Sequence, residues 1–147
     1  MFDHILVPTD GSKLANRAVK DAVKFAAVIK ARITFYQALE SNVAMYGAEG
    51  FVVPGEVIES MEIAMRKSAQ ANLDAALKLA SAKGVAAEAL VGRNFVPWEG
   101  IVGAAKKKKC DVIFMASHGR RGIAGVVLGS VTHQVLTHSK VPVMVFR

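Results

Sequence analysis

The sequence predicts an α/β fold, in which a doubly wound, Rossmann-like parallel sheet of five strands carries helices on both faces. Short apolar runs alternate with longer amphipathic segments along the whole chain, as in folds built from β-α-β units. The 147 residues are enough for a single domain, 1–147, with a full core. Apolar residues make up 52% of the chain and charged residues 21%, which excludes intrinsic disorder.

The first apolar run, His4–Pro8, predicts a buried strand that ends at the proline. The turn-forming residues at 9–12 then start a helix, and apolar residues at helical spacing continue to Ile29. Arg32–Leu39 predicts the second strand. Glycines and a proline interrupt Ser41–Pro54, which is therefore expected to be a loop.

An alanine-rich segment, Glu56–Lys83, predicts a long second helix, and Gly84 stands where a left-handed cap is expected. Met61 and Met65 are four residues apart on this helix, so they are expected to fill the core. Val85–Val91 predicts a third, weaker strand.

The last third of the chain continues the alternation. Trp98–Lys109 predicts a helix with lysines in its last turn, where cations suit the helix dipole. Asp111–Ala116 predicts the fourth strand. After the glycine-rich stretch 119–128, Ser130–Ser139 predicts a short helix and Val141–Phe146 a final strand.

The net charge of +7 lies entirely in the second half of the chain. Residues 1–80 carry nine basic and nine acidic side chains, whereas residues 81–147 carry ten and three. An anion is therefore expected to meet the second half. The lysine run Lys106–Lys109 is typical of a solvated helix end, so nucleic acid is not the expected partner.

Three further observations concern the environment of the protein. The only cysteine, Cys110, excludes an intrachain disulfide and a cysteine-based metal cage. The N-terminus lacks a basic leader and a cleavage site. No apolar stretch is long enough to span a bilayer. We therefore expect a cytoplasmic protein with no membrane partner.

In a doubly wound sheet, ligands bind beyond the carboxyl ends of the strands where the strand order reverses, so the loops after strands one and four matter most. Asp10 in the first loop can accept hydrogen bonds from a ribose. In the second loop, Gly119 and Gly129 allow close approach of a ligand to the backbone. The phosphate donors expected there are the unpaired helix-start amides of Gly129, Ser130 and Val131, with Arg120 and Arg121 able to reach outer phosphates.

This pattern resembles the universal stress protein family over the whole chain. Ile5–Ser12 looks like the family's first strand and loop, and Val141–Val145 like its closing strand. The ATP-binding branch carries Gly-x-x-Gly, nine residues, then Gly-Ser/Thr. Here Gly119 and Gly129-Ser130 match this signature, and Ala116 stands at its first glycine.

The resemblance implies ATP as the cofactor, with Mg²⁺ possible on its phosphates. It also implies a role for each matching residue. Asp10 would hold the ribose, and Ala116 would belong to the nucleotide site at the position of the motif's first glycine. The adenine pocket would be lined by Pro8, Thr9, Ala38 and Met115, and the phosphate contacts would be Gly119, Gly129, Ser130 and Val131.

Simpler interpretations of these residues stay open. Asp10 can serve only as a helix cap, and Ser130 can serve as an N-cap as well as a phosphate contact. The glycines at 122, 125 and 129 can simply form a flexible connection.

The favoured function is a stress-response regulator that binds ATP without fast turnover, with Ser41–Pro54 as a surface for a protein partner. The chain has no Gly-x-x-x-x-Gly-Lys-Ser/Thr and no Gly-x-Gly-x-x-Gly, so enzymatic activity stays uncertain. One alternative is a slow ATPase or nucleotide-transferring enzyme on the same fold. Another is a nucleotide-free interaction module in which Ala116 marks the loss of the site.

The closing strand also predicts an assembly. In the expected strand order 3-2-1-4-5, Val141–Phe146 forms an edge of the sheet and carries no charge that would prevent pairing. A homodimer in which two such strands pair antiparallel is therefore expected.

Overall fold

A parallel sheet of five strands forms the centre of the protein. The computed structural model describes residues 2–39, 53–93, 96–118 and 128–147. The strand order is β3-β2-β1-β4-β5 and all neighbouring pairs are parallel, which confirms the predicted fold class. The strands are β1 (His4–Pro8), β2 (Arg32–Ala38), β3 (Ala87–Gly92), β4 (Val112–Ala116) and β5 (Val143–Phe146).

Four helices in the described residues cover the two faces of this sheet. They are α1 (Lys13–Ile29), α2 (Gly55–Ala82), α3 (Pro97–Lys108) and α4 (Ser130–His138). One core lies between α1, α2 and the sheet, with Val23, Leu73 and Phe35 among its members. The other lies between α3, α4 and the opposite face, and includes Ile101 and Val135. The strands are nearly continuous apolar runs because helices cover both of their faces.

β3 begins two residues later than predicted. Val85 is buried, but its amide bonds to the Ala80 carbonyl at the end of α2 rather than to a strand. Pairing with β2 starts only where the Ala86 carbonyl accepts from the Ile33 amide. The buried apolar side chain of Val85 is therefore compatible with the turn that follows a helix as well as with a strand.

β5 also begins later than predicted. The Ser139 side chain accepts from the Val141 amide at 3.1 Å and donates to the Val141 carbonyl at 2.7 Å. Pro142 has no N–H to contribute. Residue 141 is therefore tied to a local turn, and the strand starts at Val143.

α2 is much longer than the sheet is tall, and its first half is not packed. Its buried residues are Ala69, Leu73, Ala76 and Ala80. The first 14 residues, 55–68, bury no side chain fully and extend for about 21 Å. Met61 is 38% exposed, so its expected place in the core was wrong. Gly84 ends this region with φ +66°, which confirms the left-handed cap.

A membrane-spanning helix, which needs about 20 mostly apolar residues, is absent from the described ranges. Most of the segment predicted as a partner surface, Ser41–Pro54, lies outside the described residues; Pro54 is the residue before α2.

Candidate functional site

The strand order reverses between β1 and β4, which are neighbours in the sheet. α1 follows β1 and packs on one face, whereas α4 follows β4 and packs on the other. The two connections therefore diverge from adjacent carboxyl ends, and in doubly wound sheets such a point is where a ligand crevice is expected. The two loops that the sequence singled out leave the sheet at this point.

The loop after β1 is held by its own polar groups. The Thr9 amide donates to the Tyr36 carbonyl of β2 at 2.8 Å, and the Thr9 hydroxyl accepts from the Gly11 amide at 3.2 Å. Asp10 Oδ1 accepts from the Ser12 amide at 2.9 Å, which forms an Asx turn. These hydrogen bonds thus fix the conformation of the loop at the carboxyl end of β1.

Asp10 is not the cap of α1. Ser12 holds that position, and its hydroxyl accepts from the Ala15 amide at 3.2 Å. The interpretation of Asp10 as only a helix cap is therefore wrong.

α2 supports this loop from the side. Gly11 has φ +75°, and a Cβ placed there would lie 2.4 Å from Asn72 Nδ2. Asn72 in turn donates to Gln37 Oε1 at 3.2 Å, at the end of β2. Glycine is needed at position 11 for both reasons, the backbone conformation and the closeness of Asn72.

The four residues assigned to adenine by resemblance lie at or next to the carboxyl ends of three adjacent strands. Pro8 and Thr9 are buried at the end of β1. Met115 lies one residue before the end of β4, and Ala38 ends β2. Met115 belongs to the core on the α3–α4 face, and Ala38 packs against that same core.

The start of α4 is fastened to the end of β4. The Gly129 amide donates to the Ser117 carbonyl at 2.8 Å, and the Thr132 hydroxyl donates to the Ala116 carbonyl at 3.0 Å. The expectation that the Gly129 amide is unpaired was therefore wrong. The amides of Ser130 and Val131 have no backbone acceptor in the described residues, as expected for the first turn of a helix.

Gly129, rather than Ser130, is the N-cap of α4. Its φ of −70° is available to any residue, so the backbone conformation does not require glycine. The surrounding space favours glycine, because a Cβ would lie 3.1 Å from the His118 Cα and 3.3 Å from the Ser117 carbonyl oxygen, and these backbone atoms would have to shift by a few tenths of an ångström. Ser130 is the first helical residue and is exposed.

Three of the residues expected near the phosphates, Gly119, Arg120 and Arg121, lie outside the described residues. The described residues bring together no group of three metal-ligating side chains.

Sequence reasoning missed the residues that support the site. Asn72 and Thr132 are polar residues on helices at positions that face the protein interior, and Ser117 is almost completely buried. A polar side chain at an interior position of an amphipathic helix was the available signal. Its partner across the fold could not be read from spacing along the chain.

The fold and the two loops can be compared with known proteins. The model of the universal stress protein family matches residues 1–147. The chain belongs to the universal stress protein family. The universal stress protein YxiE of Bacillus subtilis is 32% identical to it, with all of both chains covered.

Solved structures of universal stress proteins agree with this assignment. The structure of MJ0577 from Methanocaldococcus jannaschii superimposes with a TM-score of 0.82 at 25% identity, covering 99% of this chain and 95% of that one. A universal stress protein solved in complex with cAMP is 26% identical, with a TM-score of 0.64 and coverage of 99% and 97%.

Proposed function

We propose that this universal stress protein binds ATP in the crevice between β1 and β4 and acts as a nucleotide-responsive regulator in the stress response. The observation that carries the proposal is the pair of amides of Ser130 and Val131, which are unpaired within the described residues and lie at the positive end of α4, the helix that follows the sheet neighbour of β1. The related protein with bound cAMP supports an adenine nucleotide as the class of ligand.

Each part of ATP has a matching chemical group in this arrangement. Asp10 would accept hydrogen bonds from the ribose hydroxyls. The Ser130 and Val131 amides would donate to phosphate oxygens. Pro8, Ala38 and Met115, at or near the carboxyl ends of β1, β2 and β4, would supply apolar surface for adenine.

We do not expect the protein to hydrolyse bound ATP quickly. The described loops hold no general base hydrogen-bonded to a nucleophile near the Ser130 and Val131 amides. Among the residues that the structure describes, the only hydrogen-bonded side-chain pair at the end of β4 is Ser117 with His118 Nδ1, at 3.2 Å, and Ser117 is buried. Bound nucleotide would therefore act as a signal, and phosphate release would be slow or zero.

The sharpest test removes one amide without removing the helix. Ser130→Pro deletes the Ser130 N–H at the first helical position, where proline is well tolerated. Gly129 before it already has φ −70° and ψ 155°, which suits a residue that precedes proline. We expect calorimetric titration to show ATP affinity about 10- to 100-fold weaker, as for a lost hydrogen bond to a charged group.

Two controls complete this experiment. Ser130→Ala keeps the amide and removes only the exposed hydroxyl, so it should bind ATP nearly as well as the unchanged protein. Adenosine lacks phosphates, so its affinity should be the same in all three proteins. Equal ATP affinity in all three would contradict the phosphate assignment. No binding at millimolar ATP would instead favour the nucleotide-free interaction module, and steady phosphate release would favour the slow ATPase.

A further inference from the structure

A pair of amide side chains joins α2 to the end of β2. Asn72 Nδ2 of the helix donates to Gln37 Oε1 of the strand at 3.2 Å. Gln37 is buried and lies one residue before the end of β2, so the sheet fixes its position. Asn72 is half-buried. The hydrogen bond therefore holds the Asn72 side chain in place against the sheet.

The Asn72 side chain also packs on Gly11, the residue that follows Asp10. A Cβ built on Gly11 would lie within 2.8 Å of three Asn72 atoms, Cγ, Oδ1 and Nδ2. The amide therefore fills the space beside the Gly11 Cα. In addition, Asn16 Nδ2 of α1 donates to the Gly11 carbonyl at 3.3 Å. Both helices thus contact the backbone at residue 11.

The conformation of Gly11 determines the direction of the Asp10 carboxylate. Gly11 has φ +75°, and glycine adopts positive and negative φ about equally readily. Asp10 Oδ1 reaches across Gly11 to accept from the Ser12 amide at 2.9 Å. A different backbone conformation at Gly11 would break this Asx turn and redirect the carboxylate. The Asn72 amide, which packs on Gly11, opposes such a change.

Asparagine at position 72 does not follow from the needs of the helix. The neighbouring residues in α2 are Ala71 and Leu73, which are both better helix formers than asparagine. A half-buried amide also loses contact with water. A residue that breaks a local rule of its own element indicates a role outside that element. The contact with Gly11 supplies such a role.

We infer that Asn72 is a positioning residue, which holds Gly11 and thereby orients the Asp10 carboxylate toward the ribose of the bound nucleotide. This role rests on the proposed function and deepens it, because it makes a residue of α2 responsible for the preference for a ribose with free hydroxyl groups. Asn72 acts through Asp10 and needs no contact with the nucleotide. An acceptor that is oriented in advance loses less conformational freedom when the hydroxyls bind.

The test compares ATP with 2′,3′-dideoxy-ATP, which keeps adenine and the three phosphates but lacks both ribose hydroxyls. In calorimetric titration the unmodified protein should bind ATP about 10- to 100-fold more tightly than the dideoxy nucleotide, as for hydrogen bonds to a charged group. In Asn72→Ala this ratio should fall to about 3-fold or less, because ATP loses an oriented acceptor that the dideoxy nucleotide never used. A purely structural role would weaken both nucleotides alike and leave the ratio unchanged.

Two further variants complete the experiment. Gln70→Ala is the matched control, because it also replaces an amide of α2 by alanine, and that amide bonds along the helix to Asp74 at 2.8 Å. It should leave the ratio unchanged. Gln37→Leu leaves α2 intact and removes the acceptor that holds Asn72, so it should lower the ratio as well. Urea unfolding checks that each variant is folded.

The outcomes separate this role from the proposed function. An unchanged ratio in Asn72→Ala, with ATP still bound, would overturn the role of Asn72 and leave the proposed function intact. If that variant does not fold, the ratio in Gln37→Leu decides in the same way. An equal fall in Gln70→Ala would also overturn the role. If the unmodified protein binds neither nucleotide, the proposed function itself fails.

Discussion

At the scale of single residues, His4 belongs to a buried chain of hydrogen bonds at the amino ends of the strands. Its Nε2 lies 2.7 Å from Thr34 Oγ1, and Thr34 Oγ1 lies 2.8 Å from Glu88 Oε1. An ionised carboxylate only accepts, so the Thr34 hydroxyl donates to Glu88. Thr34 therefore accepts from an Nε2–H of His4, which leaves His4 Nδ1 bare, buried and without a partner in the described structure.

This arrangement makes the folding stability dependent on pH. Burial lowers the pKa of His4 below its usual 6.5, Arg32 acts in the same direction, and Glu88 and Asp111 oppose it. Below about pH 6.5 the unfolded chain takes up a proton that the folded chain binds only at lower pH. The free energy of unfolding should therefore fall as the pH drops below 6.5, by at most about 1.4 kcal/mol per pH unit for this group.

The measurement is urea unfolding between pH 5 and pH 7.5. His4→Gln removes the titrating group and should flatten the pH dependence in this range. His133→Gln changes an exposed histidine and should leave the slope as it is. If the free energy of unfolding of the His4→Gln variant still falls with decreasing pH to the same extent, another titrating group causes the pH dependence.

Single residues also mark the limit of what the sequence could predict about the site. The Asp10 loop and the start of α4 were found because turn residues and helix starts leave local signatures. The hydrogen bond of the Gly129 amide to Ser117, and the contact of Gly11 with Asn72, join residues 12 and 61 positions apart in the chain. No local pattern encodes such pairs, so they became visible only in the fold.

At the scale of elements, a buried leucine of α2 and an exposed leucine of α4 should respond differently to the loss of side-chain atoms. Leu73 is completely buried between the helix and the sheet. Leu73→Ala should lower the free energy of unfolding by about 2–5 kcal/mol, because it leaves a cavity. Leu136→Ala makes the same change at an exposed position of α4 and should cost much less. Thermal or urea unfolding of both variants measures the two losses in the free energy of unfolding, and equal losses would show that Leu73 is not in the core.

The elements themselves were predicted well because packing in the sheet, or on one of its faces, gives the apolar residues of each segment the spacing of a strand or of a helix. All nine elements of the described ranges were placed correctly along the chain, and the errors in their bounds lay at the ends, as at Val85 and Val141. The projecting half of α2 was the larger error. Its apolar spacing matches that of a packed helix, and spacing alone does not tell whether a sheet lies beneath it.

At the scale of the whole molecule, the outer edge of β5 offers a place for assembly. β5 is the last strand of the sheet in the described structure, and Val143–Phe146 carries no charge. We expect antiparallel pairing of two β5 edges across a two-fold axis to give a homodimer. Val143→Lys should weaken this dimer, because it introduces a lysine from each copy into the contact between the two β5 edges.

Light scattering at micromolar concentration measures the outcome. Val28→Lys is the matched control, since it makes the same substitution at a fully accessible position of α1, 81% exposed. It should leave the mass unchanged. If the unmodified protein has the mass of one chain throughout the micromolar range, the edge of β5 is not an interface.

The bonds that join the end of β4 to the start of α4 have a consequence for engineering. The Gly129 amide donates a hydrogen bond of 2.8 Å to the Ser117 carbonyl, and the Thr132 hydroxyl donates one to the Ala116 carbonyl. These bonds fix both ends of the intervening segment whatever its sequence. Doubling the number of residues in a flexible loop with fixed ends adds only about 0.6 kcal/mol to its closure. Extra residues added between Ser117 and Gly129 should therefore cost little stability, and urea unfolding of such a variant would show whether the two bonds still join the end of β4 to the start of α4.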